Sequence, residues 1–328
     1  MMNAEPTMLN AEPTSNPSPV TKAHGTIDAA GATDVGRGRP LNEDAYLIAT
    51  LQRSMVVYDA SPEAARGWLQ GGSAGTLLMV ADGMGGQGGG EVASRVAVNA
   101  VASYLLNVMA WPTAPAVAPA ARENPSSPGV RDQLSSALVV GDSTVKTTAA
   151  ETATPRMGTT LTMALVLWPD LYVAHVGDTR CYLLRSRQLK RLTTDHTMAQ
   201  MVLANAAEPV HVASQLHHTL WNSLGGSAEL PKPEISKLEL ELGDVLLLCS
   251  DGLTKHVTDE EIRTLLSTDE PNAARCAKFV ERANAEGGSD NVTVVVATAR
   301  ATSSGGYRPN APTSTSDGGT PPSVVSNR

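Results

Sequence analysis

Two apolar runs in this 328-residue chain end in the same dipeptide, and that limits what the chain can fold into. Residues 76–81 (Thr-Leu-Leu-Met-Val-Ala) lead into Asp82-Gly83, and residues 244–250 lead into Asp251-Gly252. Each run reads as a strand covered on both faces. An isolated ionised carboxylate at the end of such a strand is poorly tolerated unless something positive meets it. Two further acidic stations, Asn42-Glu43-Asp44 and Asp290-Asn291, also border apolar runs. Carboxylates converging from several places raise one another's pKa unless a multivalent cation compensates them. No cysteine or histidine cluster accompanies them, so the hard oxygen ligands point to Mg²⁺ or Mn²⁺ rather than zinc. A metal-dependent enzyme is the leading reading.

Composition removes several other classes. The formal charge of −8 and the scattered Lys and Arg residues argue against nonspecific nucleic-acid binding, which needs a basic footprint. The one short basic run, Arg185, Arg187, Lys190 and Arg191, reads as a solvated strand edge. Cys181, Cys249 and Cys276 are widely spaced and lack a CxxC, which excludes a disulfide framework or thiolate site; Cys249 and Cys276 are expected in the core. No apolar run is long enough for a membrane span, and no signal peptide opens the chain, so it reads as cytoplasmic.

Residues 1–22 repeat Asn-Ala-Glu-Pro-Thr and are rich in Pro, Thr and Ser, so a disordered tail is expected there. A flexible tail is likewise expected over 301–328, leaving a single domain at 23–300. Strands are expected at 45–50, 54–58, 77–81, 160–167, 171–176, 181–185, 236–242, 245–249 and 292–298. Leu238 to Leu242 alternates strictly, and the Gly243-Asp244 pair suggests a tight turn that makes an antiparallel hairpin with 245–249. Helical spacing marks 92–108, 130–145 and 273–284, and Thr258 with Glu261 matches a capping box. The acids at 259–261 therefore belong to helix initiation. Residues 111–129, rich in Pro and Ala, read as a loop insertion. Hairpin strands with separate amphipathic helices favour an α+β fold of packed antiparallel sheets covered by helices.

Residues 83–88 match the dinucleotide pattern G-x-G-x-x-G between a strand and a helix. That reading fails because Asp82 would face the pyrophosphate and no acid from Val92 to Arg122 could hold the ribose. The glycines instead allow close backbone approach beside Asp82, so that a carbonyl can reach a cation. Arg39 stands a few residues before Glu43-Asp44; its planar fork suits phosphate, although such an arrangement alone is more often a surface ion pair.

In order, the chain carries Arg39 with Glu43-Asp44, then Asp82-Gly83-Met84-Gly85-Gly86, then Met157-Gly158-Thr159-Thr160. Val176-Gly177-Asp178-Thr179-Arg180, Thr194-Asp195-His196, Ser250-Asp251-Gly252 and Gly288-Ser289-Asp290-Asn291 follow. This series resembles the metal-dependent serine/threonine protein phosphatases of the protein phosphatase 2C family, particularly its bacterial branch, over about residues 25–299. The resemblance implies a four-layer α-β-β-α sandwich with two central antiparallel sheets and two Mn²⁺ or Mg²⁺ ions in a cleft at one end. It implies that Asp82 bridges both metals, that Asp251 and Asp290 complete the first site, and that Glu43 and the Gly83 carbonyl serve the second. Asp44 is then expected to hold metal-bound water, Asp178 to ligate a third, weaker metal, and Arg39 to clamp the substrate phosphate.

The physics is consistent with direct attack by a water activated between two cations, and no reactive cysteine or G-x-S-x-G nucleophile elbow is present. Animal members carry a candidate general-acid histidine where this chain has Met84, as bacterial relatives commonly do. His196, next to Asp195, is expected to form a structural Asp–His hydrogen bond, and His175 to sit mid-strand as a core or surface residue. His211, His217 and His218 fall in a stretch, 197–233, that forms a variable flap in the family. The expected activity is removal of phosphate from serine and threonine in proteins, opposing bacterial serine/threonine kinases, with phosphorylated anti-sigma-factor antagonists as narrower alternative substrates. A catalytically silent member acting as a regulatory binding module is the rival; it should have lost acids, and none is missing.

Overall fold

The structure, a computed structural model, describes residues 25–57, 67–85, 89–108, 129–206, 211–227 and 229–302, with backbone alone at 53–57 and 67–74. The expected tail at 1–22 lies outside these residues, as does that at the C-terminus from 303. Outside them too are residues 111–128 of the expected loop and 86–88 of the glycine-rich pattern.

Alternate side chains of the central strands face different layers, which is why those strands are apolar throughout. In β3 (Gly67–Met84), Leu77, Met79 and Ala81 pack under α1 (Gly89–Val108) and α2 (Val130–Glu151). Leu78 and Val80, between them, point the other way into a core shared by two sheets. In β11 (Val245–Cys249) the same division holds: Leu246 and Leu248 face that shared core. Val245, Leu247 and Cys249 pack with Ile262 of α5 (Asp259–Leu266) and Phe279 of α6 (Asn272–Ala285). Helices, sheet, sheet and helices thus form the α-β-β-α sandwich.

One sheet has five strands, in the order β1 (Gly25–Asp34), β12 (Val292–Ala301), β11, β7 (Arg180–Arg185) and β8 (Gln188–Arg191). The other has seven: β10 (Glu234–Glu239), β6 (Asp170–Val176), β5 (Leu161–Leu167), β3, β4 (Gly158–Thr159) and β9 (Leu224–Gly225), with β2 (Asp44–Val57) also paired to β3. The pairs are antiparallel. The basic run 185–191 spans the β7–β8 hairpin, and β8 forms the sheet edge. Two short helices, α3 (Met198–Asn205) and α4 (Asp251–Thr254), complete the set, and Thr258 and Glu261 form the capping box at α5.

The hairpin expected at Gly243-Asp244 does not form. β10 pairs with β6 in one sheet, while both edges of β11 are taken by β12 and β7 in the other. The turn carries the chain from layer to layer. Asp244 accepts hydrogen bonds from Arg185 Nε and Nη2 at 2.9 and 2.6 Å and from the Glu241 amide at 2.8 Å, tying the turn to β7. All three cysteines are buried, free thiols.

Candidate active site

The acids meet because strand ends from both sheets converge. Asp44 and Asp82 are directly opposed on β2 and β3, a placement at which like charges repel. Hydrogen bonds fix the backbone at Asp82: its amide donates to Thr160 Oγ1 at 3.0 Å, and its carbonyl accepts from the Thr160 amide and Thr159 hydroxyl, each at 2.9 Å. The Gly83 amide donates to the Glu43 carbonyl at 3.1 Å, and a Cβ on Gly83 would strike that carbonyl and Gly90. Glycine is therefore required where β3 runs past the first turn of α1. The Glu43 carboxylate rests against the Gly90 backbone, at the favourable positive end of that helix.

The five-stranded sheet supplies the other half. Asp251 opens α4 directly after β11, and Asp290 precedes β12. Asn291 pins the loop between β1 and β2: its side-chain nitrogen donates to the carbonyls of Val35 (2.8 Å) and Leu41 (2.9 Å), and its side-chain oxygen accepts from the Glu43 amide (2.8 Å). One side chain thus positions both Arg39 and Glu43. Ser250 Oγ donates to Asp44 Oδ2 at 2.8 Å and accepts from the Thr293 amide at 2.9 Å, so it joins the two sheets at the site.

Desolvation raises the Asp44 carboxyl to about 7, with the charges of Asp251 and Asp290 adding to it against hydrogen bonds from Thr293 and Ser250. Asp82 is pushed well above the usual carboxylate range by burial, then by Asp44, Asp251, Asp178 and Asp290. Burial followed by the charges of Asp251 and Asp195 takes Asp178 to about 7. Asp290 differs: partial burial pushes it up, but hydrogen bonds from Lys255 and Arg39 hold it below its ordinary value.

Asp44 Oδ1 and Asp251 Oδ1 are buried and have no hydrogen-bond partner. Buried carboxylate oxygens without donors are costly, and a cation is what satisfies them. The donor set is oxygen throughout, which fits Mg²⁺ or Mn²⁺. Thus Asp44, Asp82, Asp251 and Asp290 are brought together, Glu43 and Gly83 lie at their edge, and Asp178 is close enough to Asp82 and Asp251 to feel their charge. Arg39 meets Asp290 in a two-pronged contact, Nε to Oδ1 at 2.8 Å and Nη2 to Oδ2 at 2.9 Å.

The expected Asp195–His196 bond is absent. Asp195 instead takes Arg180 at 3.1 and 2.8 Å and Arg191 at 2.5 Å, since two guanidinium groups outcompete a neutral imidazole. His196 Nδ1 accepts from the Gly177 amide (3.2 Å) and from Asn222 (2.9 Å), and the His196 amide donates to the Gly177 carbonyl (2.7 Å). It thereby fixes the left-handed turn at Gly177 (φ 111°) that precedes Asp178. His175 is fully buried, between Thr162 and the Thr194 carbonyl. With Glu234, these histidines have the proximity of a metal site, but not its chemistry. His175 Nε2 must donate to a carbonyl, and His196 Nδ1 receives two donors, so each Nε2 carries the proton and offers the cluster no lone pair.

The protein phosphatase 2C family profile matches residues 63–295. The chain belongs to the protein phosphatase 2C family. Among curated members, it is 30% identical over 224 residues to protein phosphatase PhpP of Streptococcus pneumoniae, covering 67% of this chain and 85% of the relative. It is 35% identical over 228 residues to serine/threonine protein phosphatase PstP of Mycobacterium tuberculosis, covering 67% of this chain and 40% of that longer protein. The crystal structure of a PstP catalytic domain in complex with two manganese ions superposes with a TM-score of 0.62 at 30% identity, over 84% of this chain and all of that one. The family's layered fold is therefore the fold of this chain.

Four residues that matter to this phosphatase-family site were not singled out as site residues from sequence: Thr160, Ser250, Lys255 and Asn291. Three lie inside motifs quoted above, so their position was visible though their bonding was not. Lys255 carried no local signal beyond its place four residues after Asp251, the spacing at which helical side chains meet.

Proposed function

We propose that this phosphatase 2C family member hydrolyses phosphoserine and phosphothreonine in proteins with Mn²⁺ or Mg²⁺ at the acidic cluster. The observation that carries the reading is the pair of orphaned buried oxygens, Asp44 Oδ1 and Asp251 Oδ1, within a set of mutually repelling carboxylates. Asp82 would hold both ions, Asp251 and Asp290 the first, Glu43 and the Gly83 carbonyl the second, and Asp178 a third, weaker one. Paired divalent ions, when bound, lower the pKa of water and neutralise charge developing on phosphorus oxygens.

The chain's own groups do the rest. Arg39, half-exposed beside the cluster, has its Nε–Nη2 edge on Asp290, so a phosphate would meet the remaining Nη1–Nη2 edge. Asp44, whose Oδ1 has no other partner, would orient the attacking water at the ions. Met84 cannot donate a proton, so the leaving alkoxide does not take one from that position.

A bacterial, cytoplasmic role reversing serine/threonine kinase signalling is the natural setting. Among the described residues no helix is long and apolar enough to cross a membrane. The silent-module alternative is not favoured by any residue, since every acid of the set is present. The test is hydrolysis of p-nitrophenyl phosphate and a phosphothreonine peptide by the full chain in Mn²⁺ and in EDTA. Equal rates in both would overturn the metal reading.

A further inference from the structure

Lys255 caps the last turn of α4, four residues after Asp251. Its Nζ lies 2.7 Å from Asp251 Oδ2 and 2.7 Å from Asp290 Oδ2. Arg39 grips Asp290 through both oxygens, and the Asn291 amide adds a 3.0 Å hydrogen bond to Oδ1. Each Asp290 oxygen therefore has two donors, as many as its lone pairs hold. Asp251 is divided: Oδ2 faces the ammonium, while Oδ1 is buried without a partner.

We propose that Lys255 is a built-in, tethered cation that competes with the divalent ion for Asp290 and lowers the metal affinity of the Asp251–Asp290 site. The proposal rests on the metal reading above and concerns a positioning residue, not one that touches substrate. An ion ligated by Asp251 Oδ1 and by Asp290 must displace a donor from Asp290 and then sit a few ångströms from a fixed positive charge. Repulsion at that range is substantial even with strong screening. Helical spacing roots the lysine one turn from Asp251, so its charge stays close to the site even when it yields Asp290. The site should therefore load later than the one served by Glu43 and Gly83, and Asp290 should remain held in place by Arg39 and Lys255 until it does.

A purely structural role for Lys255 predicts the opposite sign, since removing a brace lets Asp251 and Asp290 splay and weakens binding. Lys255→Met keeps the aliphatic stem and removes the charge. Calorimetric titration of the EDTA-stripped full chain with MnCl₂ should show the weaker site tightened by about tenfold or more in Lys255→Met. Lys255→Gln should shift it in the same direction, and Lys255→Arg should restore near wild-type affinity. In thermal melts, Lys255→Met should unfold earlier in EDTA yet reach full protection at lower Mn²⁺ than wild type. Unchanged or weaker binding in folded Lys255→Met or Lys255→Gln overturns the proposal and leaves the metal reading standing. No Mn²⁺ binding by wild type overturns both.

Discussion

Arg39 and Asp290, 251 residues apart in the chain, lie fork to fork with nitrogen–oxygen distances of 2.8 and 2.9 Å. The Arg39 side chain remains 48% exposed and that of Asp290 15%, so the pair sits at the mouth of the acidic cluster. An exposed pair of this kind adds about 0–1 kcal/mol to stability, which directs attention to recognition rather than folding. Arg39→Lys keeps the charge and loses the fork. It should lower kcat/KM for a phosphothreonine peptide by about 10- to 100-fold, mostly through KM, with little change in melting temperature. Steady-state kinetics with a thermal melt checks both halves.

Burial and the charges of Asp44, Asp251, Asp178 and Asp290 hold Asp82 well above the usual carboxylate range, so in the absence of metal it opposes folding. Asp82→Asn should stabilise the EDTA-treated protein by about 1–3 kcal/mol in urea denaturation. The same change should cut Mn²⁺-dependent turnover by orders of magnitude, as should Asp251→Asn. Loss of stability in Asp82→Asn would argue that its charge is not crowded.

Metal uptake should release protons. Asp44 and Asp178, ordinarily near 3.8, are raised to about 7, so below neutrality both are largely protonated before an ion binds. Asp82, held well above the usual carboxylate range, adds to them, and these acids must lose their protons as ions bind, so Mn²⁺ affinity should rise with pH through neutrality. Titrations in buffers of different ionisation enthalpy should report proton release at pH 6, and less of it at pH 8.

His175 is pushed down from 6.5 to about 3 by burial, then by neighbouring His196. The unfolded chain takes up a proton below pH 6.5 that the folded chain refuses until about pH 3. The contribution is therefore complete above pH 6.5 and lost as pH falls. His175→Gln removes this difference and should flatten the loss of stability between pH 6 and 4 by about 1.4 kcal/mol per pH unit, measured against wild type in urea.

Asn291→Ala strands the Val35 and Leu41 carbonyls and the Glu43 amide in one step. A cost of about 2–4 kcal/mol is expected in urea denaturation, with Mn²⁺ affinity falling as Glu43 loses its anchor.

What the sequence disclosed was governed by range. The Thr258–Glu261 capping box was legible because its bonds close within three residues. The buried strands were legible because both faces demand apolar side chains. The turn at Gly243 misled because local adjacency suggests a hairpin, whereas the edges of β11 were already claimed by distant strands. Asp195 and His196 misled in the same way, their partners being Arg180, Arg191, Gly177 and Asn222. β1, rich in glycine and alanine, shows no alternation and becomes a strand only by pairing with β12. The resemblance to a family supplied what periodicity lacks, namely which distant acids belong to one site.

Asp44 and Asp82 are rooted in the seven-stranded layer, Asp251 and Asp290 in the five-stranded one, and the apolar seam of Leu78, Val80, Leu246, Leu248, Val295 and Ala297 lies between. The pocket is in effect a gauge of how those two slabs are seated. Volume changes in that greasy seam, such as at Ala297 or Leu246, should register in catalysis as well as in folding.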